Sequence, residues 1–340
     1  MAPDQASLEP FSPVRSTRAS VGAGLKTRLY RTPDQAKLRF FTLTLARGLG
    51  GLRTICAFVC MLSLTGMAAV QSPAQRATPT RIVSLVPSVT EMLFAIGAGS
   101  RVVGVSSYDR QPPQVTSIPR VGGLLNPDVE RIFRLRPDLV VVYATQDDVR
   151  AQLARAQISA FAYSNTDLAG VAHTMRQLGA RLGVVAQATR AADDIERHLA
   201  SVRARVEGRG RPRVLVVFGR EPRALRNIDA AGGTGFNHDM LEAAGAVNVL
   251  SNVRRAAVQI TTETILKLAP DAIIDLHYGD QLPSMDISAE RSVWAQLPAI
   301  PAVRTGRVYL LLGDEFVVPG PRIADATEKI ARALHPEAFR

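Results

Sequence analysis

AQATRAADDIERHLASVRARVEG, residues 186–208, decides the fold. Its apolar positions Ala188, Ala192, Ile195, Leu199, Val202 and Val206 are spaced by four, three, four, three and four residues, which aligns them as one stripe along a helix. Gly183 and Gly208 bound the stretch, and no proline interrupts it. At about 1.5 Å rise per residue the helix is a rod of roughly 33 Å, the height of a domain. One stripe of about three heptads is a weak case for a coiled coil. Strand and helix patterns alternate before it and resume after it, so it reads as a spine between two lobes.

Before the spine, RIVSLV (residues 81–86), VVGVS (102–106), DLVVVY (138–143) and SAFAYS (159–164) are short apolar strands. Helices are expected over 89–96, with Ser88 and Glu91 as a capping box, and over 128–135 and 148–157. Four strands alternating with helices imply a parallel, helix-covered sheet. Asp167 is placed to cap a helix with the apolar face Val171, Met175, Leu178 and Leu182. Beyond the spine, RVLVVFG (213–219), DAIIDLH (271–277) and RVYLLLG (307–313) are strands. Helices are expected at 236–244, 261–269 and 288–297, with a last one from Pro321 to Leu334. The fold class is α/β, two Rossmann-like lobes with parallel sheets joined by one long backbone helix.

The lobes echo each other. VERIFRLRPDLVVVY and TETILKLAPDAIIDL share the order Glu, helix, Leu, a Pro-Asp break and an apolar strand. This places Glu130 and Glu263 at corresponding positions, each at the head of a helix where a carboxylate is favoured.

The 340 residues are 46% hydrophobic, enough for two cores. Ten of the 41 Lys and Arg and three of the 30 Asp and Glu fall in residues 1–76, so the remainder carries 31 positive and 27 negative side chains, a net of +4. With no basic run interleaved with aromatics, nucleic acid is not an expected partner. RGLGGLRTICAFVCMLSLTGMAAVQSPAQ (47–75) places positive charge before an apolar run and small residues after it, the layout of a secretory signal peptide. The expected organisation is an extension or mis-assigned start over 1–46, a signal peptide over 47–76, an N-terminal lobe over 77–165, linking helices over 166–210 and a C-terminal lobe over 211–340. Export to the periplasm follows, with membrane anchoring the rival. Cys56 and Cys60 both lie in the apolar run, so the exported part has no thiol chemistry.

Several site chemistries are absent. Gly232, Gly233 and Gly235 lack the Lys-Ser/Thr of a phosphate loop and read as a turn before a helix. No G-x-S-x-G elbow occurs. None of the five histidines falls between residues 81 and 172, so no imidazole metal site bridging the lobes is expected; His238 and His277 read as capping or surface residues. Tyr108, Tyr143, Asp314 and Phe316 stand just past strand ends. In open parallel sheets the crevice beyond those ends is where ligands bind.

RIVSLVPSVTEMLFAIGAGSRVVGVSSYDRQPP (81–113), VGGLLNPDVERIFRLRPDLVVV (121–142), AGGTGFNHDMLEAAGAVNV (231–249), ITTETILKLAPDAII (260–274) and GRVYLLLGDEFVVPGPRIADATEKIARALHPE (306–337) resemble the helical-backbone class of ABC-transporter substrate-binding proteins. That class serves cobalamin, iron-siderophore complexes and heme, and the first two stretches are most similar to its cobalamin-binding members. The resemblance implies a ligand held between lobes that move little, with Tyr108 packed on a corrin and Tyr143 lining the cleft. Where such members carry tryptophans this chain has Leu124 and small residues near Ala257, and Val318 stands in place of an arginine. It further implies that Glu130 and Glu263 pair with arginines of a permease dimer. The expectation is a monomeric binding protein, with no cofactor, resident metal or catalytic residue, that delivers a corrinoid to an ABC importer. A ferric siderophore or heme is the alternative ligand; Arg110, Arg120, Arg220 and Arg223 are the candidates to meet an anionic siderophore. A chelatase-like enzyme is the rival from another class.

Overall fold

Apolar runs too short for helices become the strands. The structure, a computed structural model, describes residues 78–164, 167–279 and 282–340; the expected extension and signal peptide lie outside the described residues. In the first lobe β1 (Ile82–Ser84), β2 (Val102–Val105), β3 (Leu139–Tyr143) and β4 (Ser159–Tyr163) form a parallel sheet in the order β2-β1-β3-β4. Central β1 and β3 are buried almost throughout, as expected of strands covered on both faces. Helices α1 (Pro87–Ala95), α2 (Val129–Arg134) and α3 (Asp147–Arg155) make the crossovers.

The link is a helical hairpin, α4 (Leu168–Leu182) and α5 (Val185–Val206). Asp167 caps α4, accepting from the Gly170 N–H at 2.8 Å. Gly183 turns the chain at φ 67°, and Gly179 lets the two helices touch, since a Cβ there would meet the Ala188 Cβ at 2.2 Å. All six stripe residues of α5 are buried. They belong to one apolar cluster that runs from Ile82 in the first lobe through α4 and α5 to Leu334 in the second. A shared core of this kind couples the lobes more stiffly than extended linkers can.

The second lobe contains β5 (Arg213–Gly219), β6 (Ile228–Ala231), α6 (Phe236–Ala243), β7 (Val247–Asn248), β8 (Ala257–Ile260), α7 (Thr262–Leu268), β9 (Ala272–His277), α8 (Ile287–Ser292), α9 (Pro301–Arg304), β10 (Val308–Leu312) and α10 (Ile323–Leu334). Its sheet runs β10-β9-β5-β6-β8, with β7 also on β5. It is mixed rather than purely parallel, because β6 is antiparallel to both β5 and β8. Two helix starts also differ from expectation. The α1 N-cap is Val86, with no side-chain cap, and Glu91 turns instead to Arg322. Helix α10 begins at Ile323, past Pro321.

The sequence echo has a structural counterpart. Arg136 and Ala269 both take the left-handed region, at φ 47° and 43°, and the Pro-Asp that follows folds back on the neighbouring strand. Asp138 accepts from the Arg81 N–H at 3.0 Å and Asp271 from the Arg213 N–H at 2.9 Å. Arg81 and Arg213 in turn donate to the helix-end carbonyls of Leu135 and Ala269. Among the described residues no helix is long and apolar enough to cross a membrane.

Candidate ligand-binding cleft

In the first lobe, β2 runs into a tight turn over residues 106–110. Ser106 Oγ accepts from the Tyr108 N–H at 3.1 Å, and Ser107 N–H donates to Gly122 O at 2.8 Å. Tyr108 is left 57% exposed. Its ring lies against Gly123, where a Cβ would stand 2.6 Å from it, so this glycine is what lets the ring lie flat on the backbone. Tyr143 ends β3 half-buried, edge-on to Tyr163 with ring centroids 6.4 Å apart. Burial raises its phenol to about 12, helped by Tyr163 and Asp109, so the hydroxyl stays a neutral donor. Gln146 accepts from the Tyr143 N–H and donates to the carbonyls of Gly123 and Leu124. The loop bearing exposed Leu124 and Leu125 is thereby tied to the exit of β3.

The second lobe answers with charge. Arg220, just past β5, has a side chain 2% exposed and bridges Asp275 at 2.9 Å and Glu290 at 2.7 Å. Trp294 Nε1–H donates to the same Asp275 at 2.9 Å. His277 ends β9 with Nε2 3.3 Å from Asp275 Oδ1, inside ion-pair range but without hydrogen-bond geometry. Burial pushes the Asp275 carboxyl up, yet His277 and Arg220 more than offset it and hold it below the usual range. A cavity of about 460 Å³ opens beside Arg220, Arg223 and His277, and one of about 200 Å³ beside His277 and Tyr278. At the exit of β10, Asp314 accepts from the Gly279 N–H at 2.9 Å.

Among the described residues, charged side chains also join the lobes. Arg110 of the first reaches to 3.9 Å from Asp314 of the second. Glu91 of α1 takes a two-pronged contact from Arg322, with Nε at 2.9 Å and Nη2 at 2.7 Å. Arg322 also holds Glu315, which Lys329 shares.

Of the residues singled out from sequence, Tyr108, Tyr143, Leu124 and Asp314 cluster at the strand exits. Phe316 does not. It is 1% exposed within the core, with the Lys329 ammonium 5.8 Å from its ring, because the turn Asp314–Phe316 rotates it inward. Ala257 opens strand β8, and Val318 is half-buried. Of the four arginines, Arg120 is committed to the carbonyls of Ser106 and Asp109, and Arg220 to its two carboxylates. Arg110 faces Asp314, and Arg223 remains exposed at the larger cavity. His277, read from sequence as a capping or surface residue, ends β9 at its exit, and Tyr278 escaped the sequence reading, although the strand-exit rule applied to β9 would have marked both. Glu130 and Glu263 are exposed in the first turns of α2 and α7, and each has a cation four residues on, Arg134 at 3.9 Å and Lys267 at 2.7 Å. Among the described residues no group of three or more His, Cys, Asp and Glu is arranged to hold a metal ion.

This geometry has relatives. A vitamin B12-binding protein of Salmonella typhimurium is 30% identical over 256 residues, 75% of this chain and 90% of that protein. An uncharacterized ABC transporter substrate-binding lipoprotein of Bacillus subtilis, YvrC, is 29% identical over 267 residues, 77% of this chain and 82% of its own. The solved structure of a periplasmic heme binding protein from Pseudomonas aeruginosa matches with a TM-score of 0.65 at 26% identity, over 76% of this chain and 93% of that one. Residues 82–314 match the family model described as periplasmic binding protein. That match starts at the first residue of β1 and ends at Asp314, just past β10, and the chain belongs to the periplasmic binding protein family.

Proposed function

We propose that this protein captures a corrinoid between its lobes outside the cytoplasmic membrane and hands it to an ABC importer. The carrying observation is Tyr108, a largely exposed aromatic face resting on Gly123 at the cleft, with Tyr143 and Leu124 beside it. A flat macrocycle with polar edges suits an aromatic, partly apolar surface opposite a few placed polar groups. The 30% identical relative named for vitamin B12 binding supports the same reading. An anionic siderophore is less well served, because Arg120 and Arg220 are consumed by internal partners. Heme is the second reading, and His277 favours it: it stands at a strand exit with one ring nitrogen 3.3 Å from the Asp275 carboxylate, and a carboxylate neighbour is common at metal-bound histidines. The role is binding and delivery, not metal insertion by a chelatase-like enzyme.

Glu130 and Glu263 are read as the docking pair, one per lobe for one arginine on each permease subunit. Exposed ion pairs of that kind govern encounter and register more than affinity. Calorimetric titration of the purified protein with cyanocobalamin, hemin and a ferric hydroxamate tests the ligand. One-to-one binding of cyanocobalamin is expected. Capture of hemin alone would move the assignment to heme, and binding of the hydroxamate alone to siderophores.

A further inference from the structure

Asp109 sits between two residues that face the cleft and faces nothing itself. Tyr108 before it is the exposed aromatic, and Arg110 after it reaches across to Asp314. Asp109 is 2% exposed, and both carboxyl oxygens are sealed from solvent without a hydrogen-bond partner. Its backbone is well held: the N–H donates to Ser106 O at 3.2 Å and the carbonyl accepts from Arg120 Nη1 at 2.7 Å.

The groups packed against the carboxyl do not make a site for a charge. From α1, Thr90 gives its hydroxyl to Val86 O at 3.2 Å, and Glu91 brings a second carboxylate that Arg322 already holds. Arg120, from the following loop, spends Nη1 on the carbonyls of Ser106 and Asp109. From β3 comes the neutral Tyr143 hydroxyl. A buried carboxylate without donors is costly, and the neutral acid is the form that fits. Burial accordingly lifts the Asp109 carboxyl to about 7; the Thr90 hydroxyl and the Ser106 N–H, near the carboxyl but outside full hydrogen-bond geometry, and the Arg120 charge reduce the rise without cancelling it, and Glu91 adds to it.

We propose that Asp109 is a positioning residue that works uncharged: its neutral carboxyl keeps the 106–110 turn packed, holding Tyr108 toward the ligand and Arg110 toward Asp314, and its ionisation drives the turn toward water and weakens both. The ligand half of this role rests on Tyr108 as a contact, proposed above. The turn itself does not depend on the ligand's identity.

The sign follows from linkage. A carboxyl whose folded-state value is raised keeps its proton in the folded protein where the unfolded chain has lost it. Its stabilising contribution is present in full below about pH 4 and is lost as pH rises toward 7. Ligand affinity, which needs the packed turn, falls as pH rises through and above 7.

The test uses the purified protein, parent and Asp109→Asn, with thermal unfolding from pH 4 to 9 in the absence of ligand and titration with cyanocobalamin at pH 6 and 8.5. The Asn variant is an isosteric neutral side chain. Relative to it, the parent should lose Tm from pH 4 to 7 and stay level above. The parent's Kd should rise about fivefold or more between pH 6 and 8.5, since one pH unit beyond the folded-state value is worth up to about tenfold, while the variant's changes less than about twofold. Parallel Tm profiles for the two proteins would overturn the proposal. So would a parent Kd that is constant while the variant binds worse at both pH values. If Asp109→Asn does not fold, isotope-edited infrared spectroscopy of the parent decides instead: a carboxylic-acid C=O band for Asp109 at pH 6 that vanishes by pH 9 supports the role, and its absence at pH 6 overturns it. Lack of cyanocobalamin binding with the expected Tm difference would retire the corrinoid reading and leave the role of Asp109 standing.

Discussion

Two buried aspartates, one under each face of the cleft, meet opposite fates. Asp109 in the first lobe and Asp275 in the second are equally hidden, at 2% and 1% exposure. Asp275 is met by Arg220, Trp294 and His277 and is held below the usual carboxylate range. Among the described residues Asp109 has no charged partner in ion-pair range and no donor in full hydrogen-bond geometry, and it rises to about 7. Burial is common to both, so the supply of donors decides the charge. The consequence reaches the cleft. The first lobe presents Tyr108 and Tyr143 beside a buried acid that holds its proton up to about pH 7, and the second a floor of internally compensated charges. Such a pair of walls suits a ligand with one flat face and polar edges.

The largest effect is expected from the charged wall. Arg220→Ala leaves Asp275 and Glu290 buried without their cation, and removing one partner of a buried pair costs about 3–5 kcal/mol. Chemical denaturation should show that loss; a change below about 1 kcal/mol would mean the cluster relaxes into water and is no fixed floor. Next is acid. Asp275 contributes stability above its unfolded value near pH 4, and that contribution is lost as pH falls through its lower folded value. Asp275→Asn should therefore be clearly less stable than the parent at pH 7, with the gap narrowing as pH falls below about 4, opposite in direction to Asp109→Asn. If the two Asn variants shift the pH profile the same way, the contrast between the walls fails.

How much of this the sequence disclosed depends on whether the cause was local. The α5 stripe, the Asp167 cap and the repeated Pro-Asp break all act within a few residues and were legible. Strands β6 and β8 were not, because IDAA and AVQI are four residues each and carry Asp229 and Gln259 where an apolar run would have shown them. Glu91 has capping-box spacing, yet Arg322, 231 positions away, takes its carboxylate. Phe316 shows the limit of the strand-exit rule, which finds the place but not the rotation that a short turn then imposes. The groups around Asp109 and Asp275 come from separate segments, so the opposite directions in which the two carboxyls shift could be read only once the lobes were assembled.

Smaller effects belong to the neutral wall and the rim. Tyr108→Ala should weaken cyanocobalamin binding by about 1 kcal/mol or more, several-fold in Kd, with Tm nearly unchanged because the ring is mostly exposed. Equal Kd values would remove Tyr108 from the contact surface. Glu130→Arg with Glu263→Arg should alter stability least, within about 0.5 kcal/mol, since each loses only an exposed pair four residues along its helix. Uptake in cells should nevertheless stop, with ligand affinity kept. Retained uptake would end the docking role.

The central claim is that one ligand touches both walls at the strand exits. Hydrogen–deuterium exchange with and without cyanocobalamin tests it most directly. Slowed exchange on binding is expected over residues 106–112 and 122–126 of the first lobe together with 219–223 and 276–279 of the second, with little change along α5. Protection confined to one lobe, or spread along α5 while the strand exits exchange as before, would contradict it.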